Sequence, residues 1–398
     1  MKTELFRVRV WDLPIRVFHW LFAISFVIAF LSRGDARYLD SHIFAGYVFT
    51  GLLIFRIMWG VVGSSHARFR NFQFSPKMAL RYLFSFSSNR ETPFLGHNPI
   101  GSIAIYLMLF LAVLISISGF SVYGGVEQRG ILYPFVSIAM ATKVHDAHEF
   151  FAWSMLGIVF VHLLGVLVQS RLSRENLVKA MLNGYKVSGK GIASVPNYGW
   201  VAAIIVLVVA SFTMVTFKGY VQASEENPYL PFQPVNMPQS QQWNVECGEC
   251  HVPYHPSLLP QRSWITLLKQ QRDHFGRDLD LQESVVIDLR DFALKYSSER
   301  HLTEAAWFID TTSPLSKIDI RITETNYWKK QHQWIDAAYW AHESVLSKSN
   351  CDSCHYDARQ GSFEDGAMHL PKIKKQKKST HIALNVLHNK NIVRHEGE

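Results

Sequence analysis

The sequence predicts an all-α protein: a bundle of five transmembrane helices followed by a small, mostly α-helical domain. The chain of 398 residues is 48% hydrophobic, and its apolar residues are concentrated before residue 219. In that part, five runs with almost no charge approach the roughly 20 residues that span a bilayer. These runs are residues 17–31, 42–63, 100–123, 150–170 and 200–217. The lipid bilayer is therefore the first predicted partner.

The first apolar run is expected to remain as a membrane anchor. Trp11, Asp12 and Pro14 precede it, and no small-residue cleavage site follows it. A secretory signal peptide would have a basic start, a short apolar stretch and such a site. We therefore count this run as the first of five crossings.

The distribution of Lys and Arg predicts the orientation in the membrane. The N-terminal segment and the second and fourth connections contain four, five and five of these residues, and the first and third connections contain two each. Cytoplasmic loops carry the excess of positive charge. The N-terminus is therefore expected in the cytoplasm of a bacterial cell, and everything after the fifth helix in the periplasm beyond the inner membrane.

Net charge changes sign along the chain. Residues 1–218 carry +11, residues 219–370 carry −8 and residues 371–398 carry +5. The pI near 9.2 is therefore no indication of nucleic-acid binding, since most of the positive charge is placed by membrane topology. The acidic second region favours a basic soluble partner.

Four segments follow from these patterns. Residues 1–218 form the membrane domain. Residues 219–242 contain four prolines and are expected to be an extended linker. Residues 243–371 form the second domain, with short helices expected at 263–274 and 284–296. Residues 372–398 are rich in lysine without an apolar period and are expected to be disordered.

All four cysteines lie in two copies of the motif Cys-x-x-Cys-His, at Cys247, Cys250 and His251 and at Cys351, Cys354 and His355. This motif indicates covalent attachment of a c-type haem, with the histidine as proximal iron ligand. A four-cysteine zinc site is disfavoured because Cys250 and Cys351 are 101 positions apart. Since c-type haem is attached outside the bacterial cytoplasm, the two motifs agree with the predicted topology.

The residues by themselves leave the sixth iron ligands open. The candidates are the histidines of the second domain and one methionine: His255, His274, His301, His332, His342, His369 and Met368. His255 is disfavoured because it lies four residues after His251, between two prolines, on the proximal side.

Histidines recur at matched depths inside the membrane, where titratable residues are functional candidates. His148 and His162 are 14 residues apart, close to four helical turns, and so share one face about 21 Å apart. His19 is level with His162 and His42 with His148. We therefore expect two b haems, one between His19 and His162 and one between His42 and His148. His145 lies off this face and is expected in a loop or at the helix start.

The first half of the chain resembles the bacterial cytochrome b561 family, which includes the b-type subunits of nickel-iron hydrogenases. The resemblance rests on VWDLPIRVFHW with His19, HIFAGYVFTGLLIFRIMWG from His42, NPIGS at residues 98–102, and the His148 and His162 pair. It implies a four-helix core with two b haems, to which the fifth helix adds an anchor. It also implies a site for quinone or quinol, the substrate, beside the cytoplasmic haem, with Asn98 and Gly101 as candidates.

The second half resembles the periplasmic dihaem cytochrome c proteins. The resemblance rests on CGECHVPYHPSLLPQRSW, HFGRDLDL, RITETNYWKKQH and CDSCHYDARQGSFED, and the basic tail departs from it. It implies that two histidines ligate each of the two covalently bound c haems. The matching positions are His274 and His332, which sequence order assigns to the first and second haem.

Two functions remain open at this stage. The first is a transmembrane electron-transfer protein between the membrane quinone pool and a soluble periplasmic acceptor or donor, such as a basic protein or a c-type cytochrome. The second is a cytochrome b anchor subunit that takes electrons from a partner dehydrogenase or hydrogenase and reduces quinone. A ligand-sensing haem protein is disfavoured because it needs an open iron position, whereas histidines are available for all four irons.

Overall fold

A computed structural model describes residues 6–33, 38–72, 75–85, 95–188, 192–222, 236–364 and 367–371. The predicted disordered tail and most of the predicted linker lie outside the described residues. The described residues form two compact units: those of 1–32, 41–120 and 144–223 make one, and those of 33–40, 121–143 and 224–398 make the other.

The N-terminal part of the chain is dominated by long helices, joined by short elements. Its elements are β1 (Phe6–Arg9), α1 (Leu13–Ser32), α2 (Leu39–Val62), α3 (Pro76–Ser85), α4 (Pro99–Gly125), α5 (Ile138–Leu172), α6 (Leu177–Asn183), β2 (Tyr185–Ser188) and α7 (Gly199–Val221). Five helices, α1, α2, α4, α5 and α7, are long and apolar enough to cross a membrane. The prediction of five transmembrane helices is confirmed.

The bundle places its apolar side chains on the outside as well as in the interior. Leu31 and Met214 are 77% and 79% exposed, as expected for side chains that face lipid. In the interior, Phe22 stacks on Phe49 with ring centroids 4.1 Å apart, and Met155 is 2% exposed. The middle of the bundle is therefore an apolar layer.

Helix α5 begins earlier than its apolar pattern predicts. The apolar run starts at residue 150, whereas the helix starts at Ile138 and has 35 residues, a length of about 52 Å. Its first turns contain charged residues, so the apolar run does not include them. Both His145 and His148 consequently lie inside the helix, and the expectation of a loop or helix start at His145 is wrong.

Two short strands, which the all-α prediction did not include, precede α1 and α7 and pair with each other. β1 pairs antiparallel with β2, with Phe6 opposite Ser188 and Arg9 opposite Tyr185. Just after β1, the backbone amides of Val10 and Trp11 both donate to the carbonyl of Gly184, at 2.8 and 3.1 Å. We call this arrangement of β1, β2 and Gly184 the terminal clasp.

Asp12 fixes the start of α1. It is fully buried, and its Oδ1 accepts a hydrogen bond of 2.8 Å from the amide of Ile15, as an N-cap does. Its Oδ2 accepts 3.1 Å from Nε1 of Trp59 in α2. This side chain thus sets the position of α1 against α2, and with it the position of His19.

The C-terminal part of the chain is built from short helices: α8 (Gln241–Glu246), α9 (Gln261–Lys269), α10 (Glu283–Tyr296), α11 (Glu304–Thr312), α12 (Asn326–His332) and α13 (Ala337–Trp340). Its buried cluster centres on Trp243, Leu259, Trp264 and Leu289. The helix expected at 284–296 is present as α10. The helix expected at 263–274 ends at Lys269, so that His274 lies in an irregular segment.

Helix α12 carries His332 as its last residue and is fixed by Thr325. The Thr325 hydroxyl accepts 3.2 Å from the amide of Trp328 and donates 2.8 Å to the carbonyl of Ile322. Thr325 is fully buried. The N-cap therefore sets the direction in which the helix presents His332.

Replacing Gly184 with alanine is expected to loosen the terminal clasp. Its φ of +85° disfavours any residue with a Cβ, and an added Cβ would lie 2.6 Å from the carbonyl oxygen of Trp11. We expect a loss of at least about 1–2 kcal/mol, measured as a lower thermal unfolding temperature of the protein in detergent. Gly165→Ala is the control, because nothing lies within 4 Å of its added Cβ. Equal unfolding temperatures for the two variants would contradict the account.

Candidate haem sites

The histidines predicted at one level of the bundle face each other. His42 lies near the start of α2 and His148 within α5, and their ring centroids are 6.2 Å apart at an interplanar angle of 79°. A metal ion bound by one nitrogen of each of two imidazoles at about 2 Å separates the ring centroids by roughly 6 Å. The spacing therefore fits a shared iron.

The other nitrogen of each ring is already engaged. Nδ1 of His42 donates to the carbonyl of Ala29 at 2.7 Å, and Nδ1 of His148 lies 3.1 Å from the carbonyl of Ile115 and 2.9 Å from Oγ of Ser118. Such hydrogen bonds fix the tautomer in which Nε2 carries the lone pair that can ligate a metal. Helix α4 also approaches closely, since a Cβ on Gly119 would lie 3.1 Å from the His148 ring.

The second pair lies on α1 and α5. Its members are His19 in α1 and His162 in α5. Nδ1 of His19 is buried without a hydrogen-bond partner among the described residues. His162 follows His148 by 14 residues on one continuous helix, so α5 presents both histidines on one face at two levels. The His42 and His148 pair fits a shared iron, and a second b haem between His19 and His162 stays a prediction.

The first Cys-x-x-Cys-His motif follows α8 directly. The His251 ring faces His274, with centroids 6.4 Å apart and planes 28° apart. Nδ1 of His251 donates to the carbonyl of Val252 at 2.7 Å, which leaves Nε2 for a metal. The Tyr254 ring stacks on the His251 ring with centroids 4.7 Å apart.

The second motif faces the end of α12. The rings of His332 and His355 are 6.3 Å apart at 63°. His332 is held by its Nδ1, which donates to the carbonyl of Trp328 at 2.9 Å, and by stacking on the Trp328 ring at 4.3 Å. The structure thus places His274 beside the first motif and His332 beside the second, in the order in which they occur along the chain.

The environments of Cys247 and Cys351 suit neutral sulfur. Burial raises the pKa values of both thiols to about 12, because a buried thiolate is costly. A thioether bond to haem keeps the sulfur neutral and so avoids that cost.

The other histidines considered as sixth ligands have different partners. His255 is buried, with Nδ1 2.9 Å from Oγ of Ser257 and Nε2 2.9 Å from the carbonyl of Pro238. His301 pairs with Asp310 at 2.7 Å. Neither ring of these two faces a Cys-x-x-Cys-His histidine in the ring contacts of the described residues.

His342, His369 and Met368 also lack the facing arrangement. Nδ1 of His342 is 2.8 Å from Oγ of Ser344. The His369 ring stacks on Tyr356 at 3.8 Å. Met368 pairs with His355 through the backbone as a β-bridge and is 37% exposed.

Asn98 and Gly101, the predicted quinone-site residues, form a helix cap. Oδ1 of Asn98 accepts a hydrogen bond of 2.6 Å from the amide of Gly101 and so satisfies one of the free donors at the start of α4. A role in quinone binding stays a prediction.

Next to Asn98, sequence reasoning missed His97. Its ring lies 4.6 Å from Trp11 and 4.5 Å from Phe72. Burial, together with the charges of Arg56, Lys186, His66 and His162, lowers its pKa to about 3. The imidazole is therefore neutral at physiological pH.

Arg56 is the second functional candidate that sequence reasoning did not identify. It is 3% exposed, its guanidinium lies 4.5 Å above the Phe69 ring, and its Nη1 has no hydrogen-bond partner among the described residues. It follows His42 by 14 residues, so α2 carries both on one face. A lone arginine in an otherwise apolar run was the available signal.

Comparison with known proteins assigns the two halves separately. Residues 10–184 match the family described as prokaryotic cytochrome b561. The chain is 24% identical over 209 residues to a probable Ni/Fe-hydrogenase B-type cytochrome subunit of Cupriavidus necator, which covers 44% of this chain and 86% of that protein. A probable Ni/Fe-hydrogenase 1 B-type cytochrome subunit of Escherichia coli K12 is 25% identical over 210 residues, 44% of this chain and 89% of that one.

Residues 243–363 match the family described as dihaem cytochrome c. The solved dihaem cytochrome c from Rhodobacter sphaeroides is 26% identical and covers 32% of this chain and 100% of its own, with a TM-score of 0.29. That score is too low to support the fold, so the assignment of this half rests on the family match and the motifs.

The fold and the matches define an integral membrane cytochrome that transfers electrons. The chain joins a prokaryotic cytochrome b561 domain to a dihaem cytochrome c domain, as the two resemblances implied. These families imply b haem in the first domain and c haem in the second.

Replacing His332 with alanine is expected to leave both haems covalently attached and to convert one c haem from low spin to high spin. The thioether bonds do not involve His332, whereas its ring faces His355 at 6.3 Å. Visible and magnetic circular dichroism spectra of the full-length protein measure the change. His342→Gln is the control and should leave both c haems low spin. An unchanged spectrum of the His332 variant would remove this residue as a ligand.

Proposed function

We propose that this protein oxidises quinol in the bacterial inner membrane and passes the electrons, one at a time, to a soluble acceptor in the periplasm. Two b haems and two c haems would supply the one-electron chemistry. The N-terminus is cytoplasmic and the dihaem domain periplasmic in this proposal, as the Lys and Arg counts favour.

One observation carries the proposal. A single helix, α5, presents a histidine at each of two levels, and the same chain continues into a domain with two further facing histidine pairs. The facing rings of three of the four pairs are 6.2, 6.4 and 6.3 Å apart. Four iron positions in one chain that spans the membrane support a conduit.

The chain separates the two levels with a dry layer. Met155 lies midway between His148 and His162 in α5, and Phe49 lies midway between His42 and Arg56 in α2. Both side chains are buried, at 2% and 3% exposure, and both belong to one apolar cluster. Such a layer excludes water and ions, whereas electrons can still pass between closely spaced irons.

The region around His97 and Asn98 supports the quinol site. It combines the amide nitrogen of Asn98, the neutral imidazole of His97 and the buried charge of Arg56, all near the His162 level. A quinol needs hydrogen-bond partners for its two hydroxyls and a route for two protons. We assign Asn98 and Gly101 to this site, with the neutral imidazole of His97 as a neighbouring hydrogen-bond partner.

The acidic charge of the second domain supports a basic soluble acceptor. Residues 219–370 carry a net charge of −8, and opposite charges raise the rate of encounter. A basic protein or a c-type cytochrome fits this requirement. The family relatives give no information about this acceptor, because the matched hydrogenase subunits align only with the first half of this chain.

The order of electron flow can be tested with two histidine variants and a quinol analogue under anaerobic stopped-flow conditions. His42→Ala removes a ligand at the outer level, so quinol should still reduce the inner b haem but leave the c haems oxidised. His19→Ala removes a ligand at the inner level, so quinol should reduce no haem. His301→Gln is the control, because its ring pairs with Asp310, and it should behave as the parent protein.

Dithionite reduces accessible haems without quinol and shows which haems each variant retains. If quinol reduced the c haems of the His42 variant as fast as those of the parent, the proposed order would be wrong. If quinol reduced no haem in the parent protein, the proposed quinol oxidation would be wrong.

The second candidate is an anchor subunit that receives electrons from a partner dehydrogenase or hydrogenase and reduces quinone. The printed names of the curated relatives, Ni/Fe-hydrogenase B-type cytochrome subunits, favour it. Affinity purification of the full chain from its native membrane should discriminate the two. A stoichiometric large catalytic subunit would favour the anchor, and its absence under conditions that preserve the four haems would favour the conduit.

A further inference from the structure

Tyr254 contacts the proximal histidine of the first Cys-x-x-Cys-His motif. Its ring stacks on the His251 ring with centroids 4.7 Å apart and planes 20° apart. The backbone of Tyr254 is fixed as well, because its carbonyl accepts 3.1 Å from Nε1 of the buried Trp243. The side chain is therefore held against one face of the imidazole.

The other end of the same side chain reaches the second motif. The Tyr254 hydroxyl donates a hydrogen bond of 2.5 Å to the carbonyl of Ser349, 95 residues along the chain. Ser349 lies two residues before Cys351, whose Sγ is 3.7 Å from the same carbonyl oxygen. One side chain thus connects the ligand of one haem to the attachment loop of the other.

The two c-haem sites differ in the angle between the planes of their facing histidine rings. At the first site, the planes of His251 and His274 are 28° apart. At the second site, the planes of His332 and His355 are 63° apart, and the aromatic ring beside His355, that of Phe363, meets it edge-on at 65°. The nearly parallel arrangement occurs where the proximal ring has a parallel stacking partner.

We propose that Tyr254 is a positioning residue that joins the two covalent haem sites. Its ring fixes the plane of His251 and so the angle between the two axial imidazoles of the first c haem. Its hydroxyl fixes that site against the loop that carries Cys351. The inference deepens the proposed function, because it rests on the haem ligands assigned there.

The angle between axial ligand planes has a direct electronic consequence. Two parallel imidazoles interact with the same iron d orbital and split it from its partner, whereas two perpendicular imidazoles leave the pair nearly degenerate. The low-spin ferric signal in electron paramagnetic resonance is rhombic in the first case and highly anisotropic in the second. Ligand orientation and its supporting contacts also tune the reduction potential.

Two variants of the full-length protein separate the ring from the hydroxyl. Tyr254→Leu removes the stacking ring, so the signal of the first c haem should shift from rhombic towards highly anisotropic. Tyr254→Phe keeps the ring, so that signal should stay rhombic, while the separation between the two c-haem midpoint potentials changes. Redox titration followed by electron paramagnetic resonance measures both quantities.

Phe308 provides the matched control. Its ring also stacks on an aromatic ring of this domain, that of Tyr327, with centroids 5.6 Å apart and planes 8° apart, but it meets no Cys-x-x-Cys-His histidine in the ring contacts of the described residues. Phe308→Leu should therefore leave the signals and potentials of both c haems unchanged. A change as large as that of Tyr254→Leu would mean that any loss of stacking in the domain disturbs the haems, and it would overturn the proposal.

The outcomes distinguish this inference from the proposed function. An unchanged rhombic signal in Tyr254→Leu, with both haems attached and low spin, overturns the role of Tyr254. If Tyr254→Leu does not accumulate with haem, Tyr254→Phe decides, and unchanged potentials in that variant overturn the link between the sites. Failure of quinol to reduce the parent protein, together with the shifted Tyr254→Leu signal, would remove the proposed function and support the inference.

Discussion

Facing imidazoles are the constraint on which the rest of this protein depends. An iron held by two histidines requires ring centroids roughly 6 Å apart, and three pairs on different elements meet this requirement at 6.2, 6.4 and 6.3 Å. Each facing pair needs rigid elements behind it, because a shift of an ångström would break a bond to the metal. The membrane bundle supplies that rigidity through long helices, and the second domain supplies it through caps and stacked rings.

The two domains hold their facing histidines with different kinds of contact. In the bundle, backbone carbonyls of neighbouring helices accept from Nδ1 of His42 and His148, as Ala29 and Ile115 show. In the second domain, the helices are short and aromatic side chains take over: Trp328 stacks on His332 and Tyr254 on His251. A small domain with little aliphatic core can thus hold two ligand pairs.

Buried charges of the bundle lie near one of its two histidine levels. The described part of the membrane domain buries Asp12 and Arg56, at 0% and 3% exposure, close to the terminal clasp and on the side of His19 and His162. Buried charges inside a membrane are costly and mark functional sites. Proton-coupled chemistry at the level of His19 and His162 would therefore have buried charges beside it.

The sequence by itself determined the five long apolar helices and the two Cys-x-x-Cys-His motifs, because hydropathy and motif spacing are local properties. It also selected His148 and His162 among the histidines of α5, since a separation of 14 residues places two side chains on one helical face. Tertiary structure decided which distant groups meet: His274 with His251, Tyr254 with Ser349, and Arg56 with Phe69. It also extended α5 through charged residues that no apolar pattern includes. Such contacts depend on how separate segments pack, and side-chain packing is not encoded in any local periodicity.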